Sequence, residues 1–196
     1  MRIYETKIMQ SYLPTNAERQ APLRIIFVGY MGAGKSTLGR VLSKTTGIPY
    51  YDLDTYIENR MRKSIAQIFE EQGEQQFRKT EYNMLHEVAE FENIILSCGG
   101  GTPCYYDNME YLNQQGETIY LKTDAGTLFQ HLQMARIPRP LLKGMTDEEA
   151  QQFIERHLQE REPFYMKAKH VHNVTLLDTH EKIAETIEII RKELNI

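Results

Sequence analysis

The sequence predicts an α/β fold of three layers, in which helices cover both faces of a five-stranded parallel sheet. Apolar strand-like runs and amphipathic helix-like runs alternate from Leu23 to the end of the chain, which is typical of βαβ units. A glycine-rich loop (residues 29–36) joins the first strand to the first helix and fits the phosphate-binding pattern G-x-x-x-x-G-K-[ST]. Ligands are therefore expected at the carboxyl ends of the strands.

The individual elements follow from short-range patterns. The strand candidates are apolar runs, at Leu23 to Val28, Pro49 to Leu53, Ile94 to Cys98, Thr118 to Leu121 and Val174 to Leu177. The helix candidates are Lys35 to Thr46, Thr55 to Met61, Ile65 to Glu71, Glu74 to Glu90, Asn108 to Gln115, Ala125 to Met134, Asp147 to Gln159 and Glu181 to Leu194. Capping boxes support two helix starts, Ser64 with Gln67 and Thr146 with Glu149. We expect one domain over residues 23–196, after a polar extension of residues 1–22 that has no assigned function.

Composition and charge limit the class of protein. A chain of 196 residues suits one domain, and its formal net charge of −4 argues against electrostatic binding to nucleic acid. No apolar run is long enough for a membrane span, and no secretory signal is recognisable. The two cysteines, Cys98 and Cys104, match neither a metal-ligand pair nor a disulfide framework. We therefore expect a cytoplasmic protein without nucleic-acid or membrane partners, and we take it to be a monomer.

The glycine-rich loop, called the P-loop below, has the residues that phosphate binding requires. In this motif, backbone N–H groups and the N-terminus of the following helix surround the phosphates. Lys35 is expected to reach the β- and γ-phosphates of a nucleotide, and the Ser36 hydroxyl to ligate Mg²⁺. A plain glycine turn with a solvated lysine is the alternative, and the flanking strand and helix argue against it. The expected nucleotide-binding residues in the loop are Gly32, Ala33, Gly34, Lys35, Ser36 and Thr37.

Two carboxylates follow the second strand. Residues i and i+2 of an extended segment point the same way, so Asp52 and Asp54 can both face the phosphate site. One could hold Mg²⁺ through its waters while the other accepts a proton from a substrate hydroxyl. Taken alone, Asp54 would be interpreted as a helix N-cap. Beside a P-loop, the catalytic interpretation is favoured.

An arginine and a glycine run are the next candidates. Arg78 lies in a long helix, where its planar guanidinium could clamp a substrate carboxylate; an exposed helical arginine is the alternative. The glycine run Gly99-Gly100-Gly101 follows the third strand and allows a ligand to touch backbone N–H groups. A plain turn seldom needs three glycines, so the functional interpretation is favoured there.

A basic segment lies between two helices farther along the chain. Arg136 to Gly144 could fold over a nucleotide as a lid and bring a cation to a transferring phosphoryl group. An ordinary charged connection between helices is the alternative. Arg161 ends the next predicted helix, and taken alone it would be interpreted as a cation at a helix C-terminus. None of the six histidines shows a convincing metal-ligand spacing.

Together these residues resemble the motifs of the shikimate kinase family of P-loop small-molecule kinases, from about Leu23 to the C-terminus. The resemblance implies the three-layer P-loop kinase fold. It also implies transfer of the γ-phosphoryl group of ATP to the 3-hydroxyl of shikimate, a step toward chorismate and the aromatic amino acids. The matching segments are Gly29 to Gly39, Asp52-Leu53-Asp54, Gly73-Glu74, Phe77-Arg78 with Glu81, Gly99-Gly100-Gly101, Arg139-Pro140-Leu141-Leu142, and Arg161 with Pro163 and Tyr165.

The resemblance further implies roles for individual residues. Ser36 and Asp52 would serve Mg²⁺, and Arg139 in the lid would meet the ATP phosphates. Lys35, Arg139 and Mg²⁺ would offset charge on the γ-phosphoryl oxygens, while Asp54 takes the hydroxyl proton. Many family members carry an arginine that contacts the nucleotide near the start of the last helix, where this chain has Asp178-Thr179-His180-Glu181. The shikimate ligands would be Asp54, Arg78, Arg161 and Gly100 with its neighbours Gly99 and Gly101.

Two rival functions remain open at this point. Another P-loop kinase, such as a gluconate kinase, would share the phosphate site. A nucleotide switch of the GTPase type is the rival from a different class. Leu121-Lys122-Thr123-Asp124 resembles the guanine-reading N-K-x-D but lacks its asparagine, and Asp124 is better explained as a helix cap. A nucleoside monophosphate kinase would need a nucleobase pocket that the sequence does not indicate.

Overall fold

The computed structural model describes residues 22–134, 142 and 144–196. Within them, five parallel strands form one sheet in the order β2-β3-β1-β4-β5. The sheet confirms the class of fold that the alternating pattern predicts. The strands are β1 (Arg24–Val28), β2 (Tyr50–Asp52), β3 (Ile94–Ser97), β4 (Glu117–Lys122) and β5 (His170–Asn173).

The described residues also form seven α-helices and a 3₁₀ turn at Thr102–Cys104. Both predicted capping boxes are confirmed at the helix starts. Within the long helix, Gly73 has a non-helical backbone (φ 75°, ψ 170°), which confirms the predicted division of this region in two. The helices are α1 (Lys35–Thr46), α2 (Leu53–Met61), α3 (Ile65–Ala89), α4 (Asn108–Gln115), α5 (Ala125–Met134), α6 (Asp147–Tyr165) and α7 (His180–Leu194).

The connections between strands place helices on both faces of the sheet. Helix α1 leads from β1 toward β2, and α4 leads from β3 toward β4 in the opposite direction. Because crossovers between parallel strands are right-handed, these two helices lie on opposite faces. Helix α7 packs beside α1, and α3 packs beside α4. The direction of the connections reverses between the neighbouring strands β1 and β3, and a ligand crevice is expected outside their carboxyl ends.

Register brings the ends of three strands level. Asp52 of β2 pairs with Ser97 of β3, and Ser97 pairs with Phe27 of β1. The P-loop, the acidic residues after β2 and the glycine run therefore all begin at one edge of the sheet. The strands are buried in the middle because helices cover both faces. The last helix adds Ile187 and Ile190 to the core, as its apolar stripe predicts.

The position predicted for the fifth strand is wrong. The strand runs over His170–Asn173 rather than over residues 174–177, and it pairs with β4. Edge strands are partly exposed, and β5 accordingly lacks an apolar pattern. Val174 and Leu177 are apolar for other reasons. Val174 is buried beside β4, where its N–H donates to the Lys122 carbonyl oxygen, and Leu177 packs against the P-loop. A Cβ added to Gly34 would lie 2.5 Å from Leu177 Cδ1.

The start of the second helix and the end of the sixth also differ from the prediction. Helix α2 begins at Leu53, so Asp54 lies in its first turn and not in an extended segment. Its N-cap is Asp52, whose Oδ1 accepts a hydrogen bond of 3.2 Å from the Thr55 N–H. Both the extended alignment and the alternative of Asp54 as N-cap are therefore wrong. Helix α6 continues past the predicted end to Tyr165.

Two sequence-based predictions fall largely on residues that the structure does not describe. The extension of residues 1–22 is described only at its last residue. The expected lid is described only at Leu142 and Gly144, so Arg136 and Arg139 lie outside the described residues. Within the described ranges, no helix is long and apolar enough to cross a membrane.

Candidate active site

The P-loop forms the turn between β1 and α1. Gly34 precedes the helix in the left-handed conformation (φ 92°), which a residue with a side chain rarely adopts. Among the described residues, no side chain caps the N-terminus of α1. The first N–H groups of the helix and its partial positive charge can therefore act on an anion. Ala33 is fully buried under the turn, and Thr37 is exposed on the first helical turn.

Lys35 is the first residue of α1, and its side chain turns back into the loop. Its ammonium donates hydrogen bonds of 2.8 Å to the carbonyl oxygens of Gly29 and Tyr30. The residue is only 9% exposed. The loop therefore holds this cation where the motif would bind phosphates.

Ser36 and Asp52 meet between α1 and β2. The Ser36 hydroxyl donates a hydrogen bond of 2.9 Å to Asp52 Oδ2, and the Tyr50 hydroxyl donates to the same oxygen over 3.1 Å. The other oxygen of Asp52 caps α2. The Asp52 carboxylate thus accepts hydrogen bonds both from the start of α2 and from the P-loop serine. Its three donors, Ser36, Tyr50 and Thr55, fix its orientation.

Asp54 lies in a group of carboxylates at the same edge of the sheet. A Cβ added to Gly99 would lie 2.9 Å from Asp54 Oδ1 and 3.3 Å from Glu81 Oε1, so both side chains face the start of the glycine run. Burial first, and then the negative charges of Asp52 and Glu81, raise the pKa of Asp54 to about 6 against the opposing effect of Lys35. Carboxylates this close together favour a positive charge among them.

Two arginines from different helices flank the rest of the glycine run. A Cβ added to Gly101 would lie 2.8 Å from Arg78 Nη2, and one added to Gly100 would lie 3.7 Å from Arg161 Nη1. Tyr165, one turn after Arg161 on α6, donates its hydroxyl hydrogen to the Gly100 carbonyl oxygen. The two guanidiniums therefore reach one surface, where a single carboxylate could accept charge-assisted bonds from both.

Arg78 is held by residues whose roles the sequence does not indicate. Its Nη1 donates to Glu81 over 2.8 Å, and its Nη2 donates to Glu74 over 3.2 Å. Tyr105 covers the guanidinium, with its ring centroid 4.1 Å from Arg78 Cζ, and its hydroxyl donates to Glu74 over 2.8 Å. Glu81 also accepts a hydrogen bond of 2.6 Å from the Thr102 hydroxyl. With a side chain 11% exposed, Arg78 is not the exposed helical arginine of the alternative interpretation.

The P-loop and the glycine run belong to one cleft. A Cβ added to Gly100 would lie 3.3 Å from the backbone nitrogen of Met31 in the P-loop. Thr37 lies exposed on the first turn of α1, and Arg139 lies outside the described residues. The structure gathers the remaining predicted residues at the carboxyl ends of β1, β2 and β3: Gly32, Ala33, Gly34, Lys35, Ser36, Asp52, Asp54, Arg78, Gly99, Gly100, Gly101 and Arg161.

The oxygen atoms in this cleft fit a hard divalent cation. The Ser36 hydroxyl and the Asp52 carboxylate are already in contact beside the P-loop. Mg²⁺ usually takes one or two such protein ligands and completes its shell with phosphate oxygens and water. Asp52 and Glu81 also place negative charge near Asp54, and a bound cation would reduce the repulsion among these three carboxylates.

A P-loop that follows the central strand of a five-stranded parallel sheet, with a lysine inside the loop and carboxylates beside it, defines the class of P-loop kinases. Comparison with known proteins narrows this class. The sequence model of the shikimate kinase family matches residues 31–191. The chain belongs to the shikimate kinase family.

Individual relatives agree with this assignment. The chain is 47% identical over 172 residues to the shikimate kinase of Phocaeicola vulgatus, an alignment that covers 88% of this chain and 98% of the relative. A crystal structure of shikimate kinase from Bacteroides thetaiotaomicron has 44% identity and a TM-score of 0.87, and the match covers 90% of this chain and 100% of that one. The shikimate kinase from Acinetobacter baumannii in complex with shikimate has 31% identity and a TM-score of 0.76, over 93% and 98% of the two chains.

Proposed function

We propose that this protein transfers the γ-phosphoryl group of ATP to the 3-hydroxyl of shikimate, giving ADP and shikimate 3-phosphate, a step toward chorismate and the aromatic amino acids. The observation that carries the proposal is the contact between two surfaces of one cleft. The P-loop with Lys35 suits the phosphates of a nucleotide. The glycine run, with Arg78 and Arg161 beside it, suits an acceptor that bears a carboxylate.

The two arginines and the glycine run would bind the acceptor. Arg78 and Arg161 would each give charge-assisted hydrogen bonds to the carboxylate of shikimate. Asp54 faces the opposite end of the run, at Gly99. Because Gly99 and Gly101 are two residues apart, their separation is at most about 7 Å, which fits a small cyclic acid. Asp54 would then orient the 3-hydroxyl and accept its proton.

Phosphoryl transfer would depend on positioning and on charge neutralisation. Lys35 and the backbone N–H groups of the P-loop would offset charge on the γ-phosphoryl oxygens. Arg139 is proposed as a second cation, on the strength of its sequence motif. A kinase that uses ATP requires a divalent metal, and we propose Mg²⁺ with Ser36 and Asp52 as its protein ligands. When bound, the ion would screen the phosphate charges.

Residues 23–196 would form one catalytic domain, with a lid at about 136–144 that closes over the nucleotide. The substrates ATP and shikimate would be its partners, and the chain would act as a monomer in the cytoplasm without nucleic acid or membrane.

A comparison of phosphoryl donors and acceptors tests this function. Nucleoside diphosphate release is measured with ATP or GTP, alone and with shikimate or gluconate, and the product is identified by ³¹P NMR. We expect rapid turnover only with ATP and shikimate together. Turnover with gluconate would indicate the rival kinase, and GTP hydrolysis without an acceptor would indicate a nucleotide switch.

A further inference from the structure

His131, near the end of α5, bridges two parts of the chain that are distant in sequence. Its Nδ1 lies 2.8 Å from the carbonyl oxygen of Gly32 in the P-loop. Its Nε2 lies 2.8 Å from the backbone nitrogen of Leu177, in the segment after β5. The residue is 8% exposed. Both ring nitrogens are therefore engaged inside the protein, in contacts that neither the P-loop motif nor the proposed chemistry requires.

The two partners determine the protonation of this imidazole. A carbonyl oxygen can only accept a hydrogen bond, so Nδ1 must carry a proton toward Gly32. A backbone N–H can only donate, so Nε2 must be unprotonated toward Leu177. The neutral Nδ1–H tautomer satisfies both bonds, whereas an imidazolium has no acceptor for the Leu177 N–H. His131 therefore links the P-loop to the segment after β5 through one donated and one accepted hydrogen bond, and its role is not limited to packing.

Packing on both sides of the P-loop agrees with this link. A Cβ added to Gly32 would lie 3.0 Å from Leu132 Cγ, so α5 packs tightly against that glycine. A Cβ added to Gly34 would lie 2.5 Å from Leu177 Cδ1, so the segment after β5 packs tightly against this second glycine of the P-loop. The P-loop is held between α5 and this segment, and His131 joins the two supports by hydrogen bonds.

We propose that His131 is a positioning residue for the P-loop and that nucleotide affinity depends on its two hydrogen bonds. A P-loop binds phosphate through backbone N–H groups, so its carbonyl oxygens must be held elsewhere. His131 holds the carbonyl of Gly32, and it pins the Leu177 segment against Gly34. The inference rests on the proposed function in one respect, since it requires that the loop bind the phosphates of ATP.

Three substitutions separate the two hydrogen bonds. His131→Asn keeps a donor at the position of Nδ1, His131→Gln keeps an acceptor at the position of Nε2, and His131→Leu removes both. We expect His131→Leu to weaken ADP binding, measured by calorimetry, by about tenfold or more. The KM for ATP should rise in parallel, while kcat at saturating ATP changes less than about threefold. The Asn and Gln variants should lie between the parent and the Leu variant.

A matched control is His170→Asn. His170 is bonded to Glu117 and Glu193 at the edge strand β5, and its loss should lower stability without changing ADP affinity. If the Leu variant does not fold, the Asn and Gln variants must each bind ADP more weakly than this control. ADP binding by the Leu variant within about twofold of the parent would overturn the proposal. A parent chain that binds no ADP would instead overturn the proposed function.

The tautomer gives a readout that does not depend on activity. ¹⁵N NMR spectra of the parent should show a protonated Nδ1 and an unprotonated Nε2 for His131 near neutral pH. The signal is assigned by its disappearance in His131→Asn. An Nε2–H tautomer or a charged ring would contradict the bridge, whatever the kinetics.

Discussion

Ser36 Oγ donates a hydrogen bond of 2.9 Å to Asp52 Oδ2, which joins the first turn of α1 to the carboxyl end of β2. The two residues are brought together by the crossover from β1 to β2, which passes over β3. Asp52 is held in this place by a second bond from Tyr50 and by its role as the cap of α2. The fold therefore sets a hydroxyl and a carboxylate side by side at the P-loop.

Removal of divalent metal should stop phosphoryl transfer and leave the fold intact. Because Asp52 would be a direct or water-mediated ligand, Asp52→Asn should raise the Mg²⁺ concentration for half-maximal rate by roughly tenfold or more. The measurement is a Mg²⁺ titration of the rate after treatment with a chelator. Asp124→Asn is the matched control, since Asp124 also caps a helix, α5, and its side chain is hydrogen-bonded to Thr127 rather than to the P-loop serine. An equal shift in both variants would assign the effect to the loss of negative charge at a helix N-terminus.

Lys35→Met should abolish most turnover while the chain remains folded. The ammonium sits inside the P-loop, where its charge would act on the transferring group. The expected loss in kcat is about 100-fold or more. Lys44→Met, in the exposed last turn of the same helix, should behave like the parent. A folded Lys35→Met variant within about tenfold of the parent rate would contradict the proposed phosphate site.

Asp54→Asn should separate proton transfer from nucleotide binding. The amide keeps the size of the side chain but cannot accept the hydroxyl proton, so kcat should fall by roughly 10²-fold. ADP affinity should change little, because the Asp54 carboxylate faces Gly99 and not the P-loop glycines. The two quantities are measured by steady-state kinetics and calorimetry. A comparable loss in ADP affinity would place Asp54 at the metal and assign the base to another group.

Arg78→Lys should raise the KM for shikimate on the order of tenfold and leave the KM for ATP unchanged. Lysine keeps the charge but loses the planar fork that contacts Glu81 and Glu74 and that would hold the substrate carboxylate. Arg60→Lys is the control, because Arg60 forms an exposed pair with Glu87.

A shikimate analogue without the carboxylate refines this test. The analogue should be a poor substrate of the parent. Arg78→Lys should reduce its turnover by a smaller factor than that of shikimate, because the interaction between Arg78 and the carboxylate is already absent. Fully additive losses would mean that Arg78 does not touch the carboxylate.

The edge strand β5 should make stability depend on pH through Glu117. The hydrogen bond with His170 has the largest effect on Glu117 and lowers its pKa. Burial acts in the opposite sense, and the hydrogen bond with Lys169 lowers the pKa further. A lowered pKa means that the unfolded chain binds the proton more readily. The stabilisation is therefore complete above the unfolded pKa and is lost as the pH falls through the folded pKa.

Urea unfolding of the parent and of Glu117→Gln tests this dependence. The parent should be the more stable chain at about pH 7, and the difference should shrink by about pH 3. Glu92→Gln, at an exposed glutamate before β3, is the control and should show no such trend. A difference that stays constant over this range would contradict the assignment.

Local features of this protein are determined by the sequence, because their causes lie within a few residues. The P-loop is a contiguous motif, and the capping boxes at Ser64 and Thr146 need only the residue three places on. The predicted cap at Asp124 is confirmed for the same reason. The order of the strands and the alignment of their carboxyl ends are tertiary properties, although the alternating pattern indicates their class.

Contacts between distant residues were decided only by the tertiary structure. Val174 to Leu177 resemble a strand, yet β5 ends at Asn173 and Leu177 packs against Gly34 of the P-loop, a contact that no local pattern reveals. Asp54 lies in a helical turn and not in the predicted extended segment, because Asp52 caps α2 and the helix begins at Leu53. Tyr105 covers Arg78, and His131 bridges Gly32 and Leu177, across separations of up to 99 residues. The sequence determined which chemical groups are present, whereas the distances and directions between them depend on how helices and strands pack, because side-chain contacts form only after the chain has brought remote segments together.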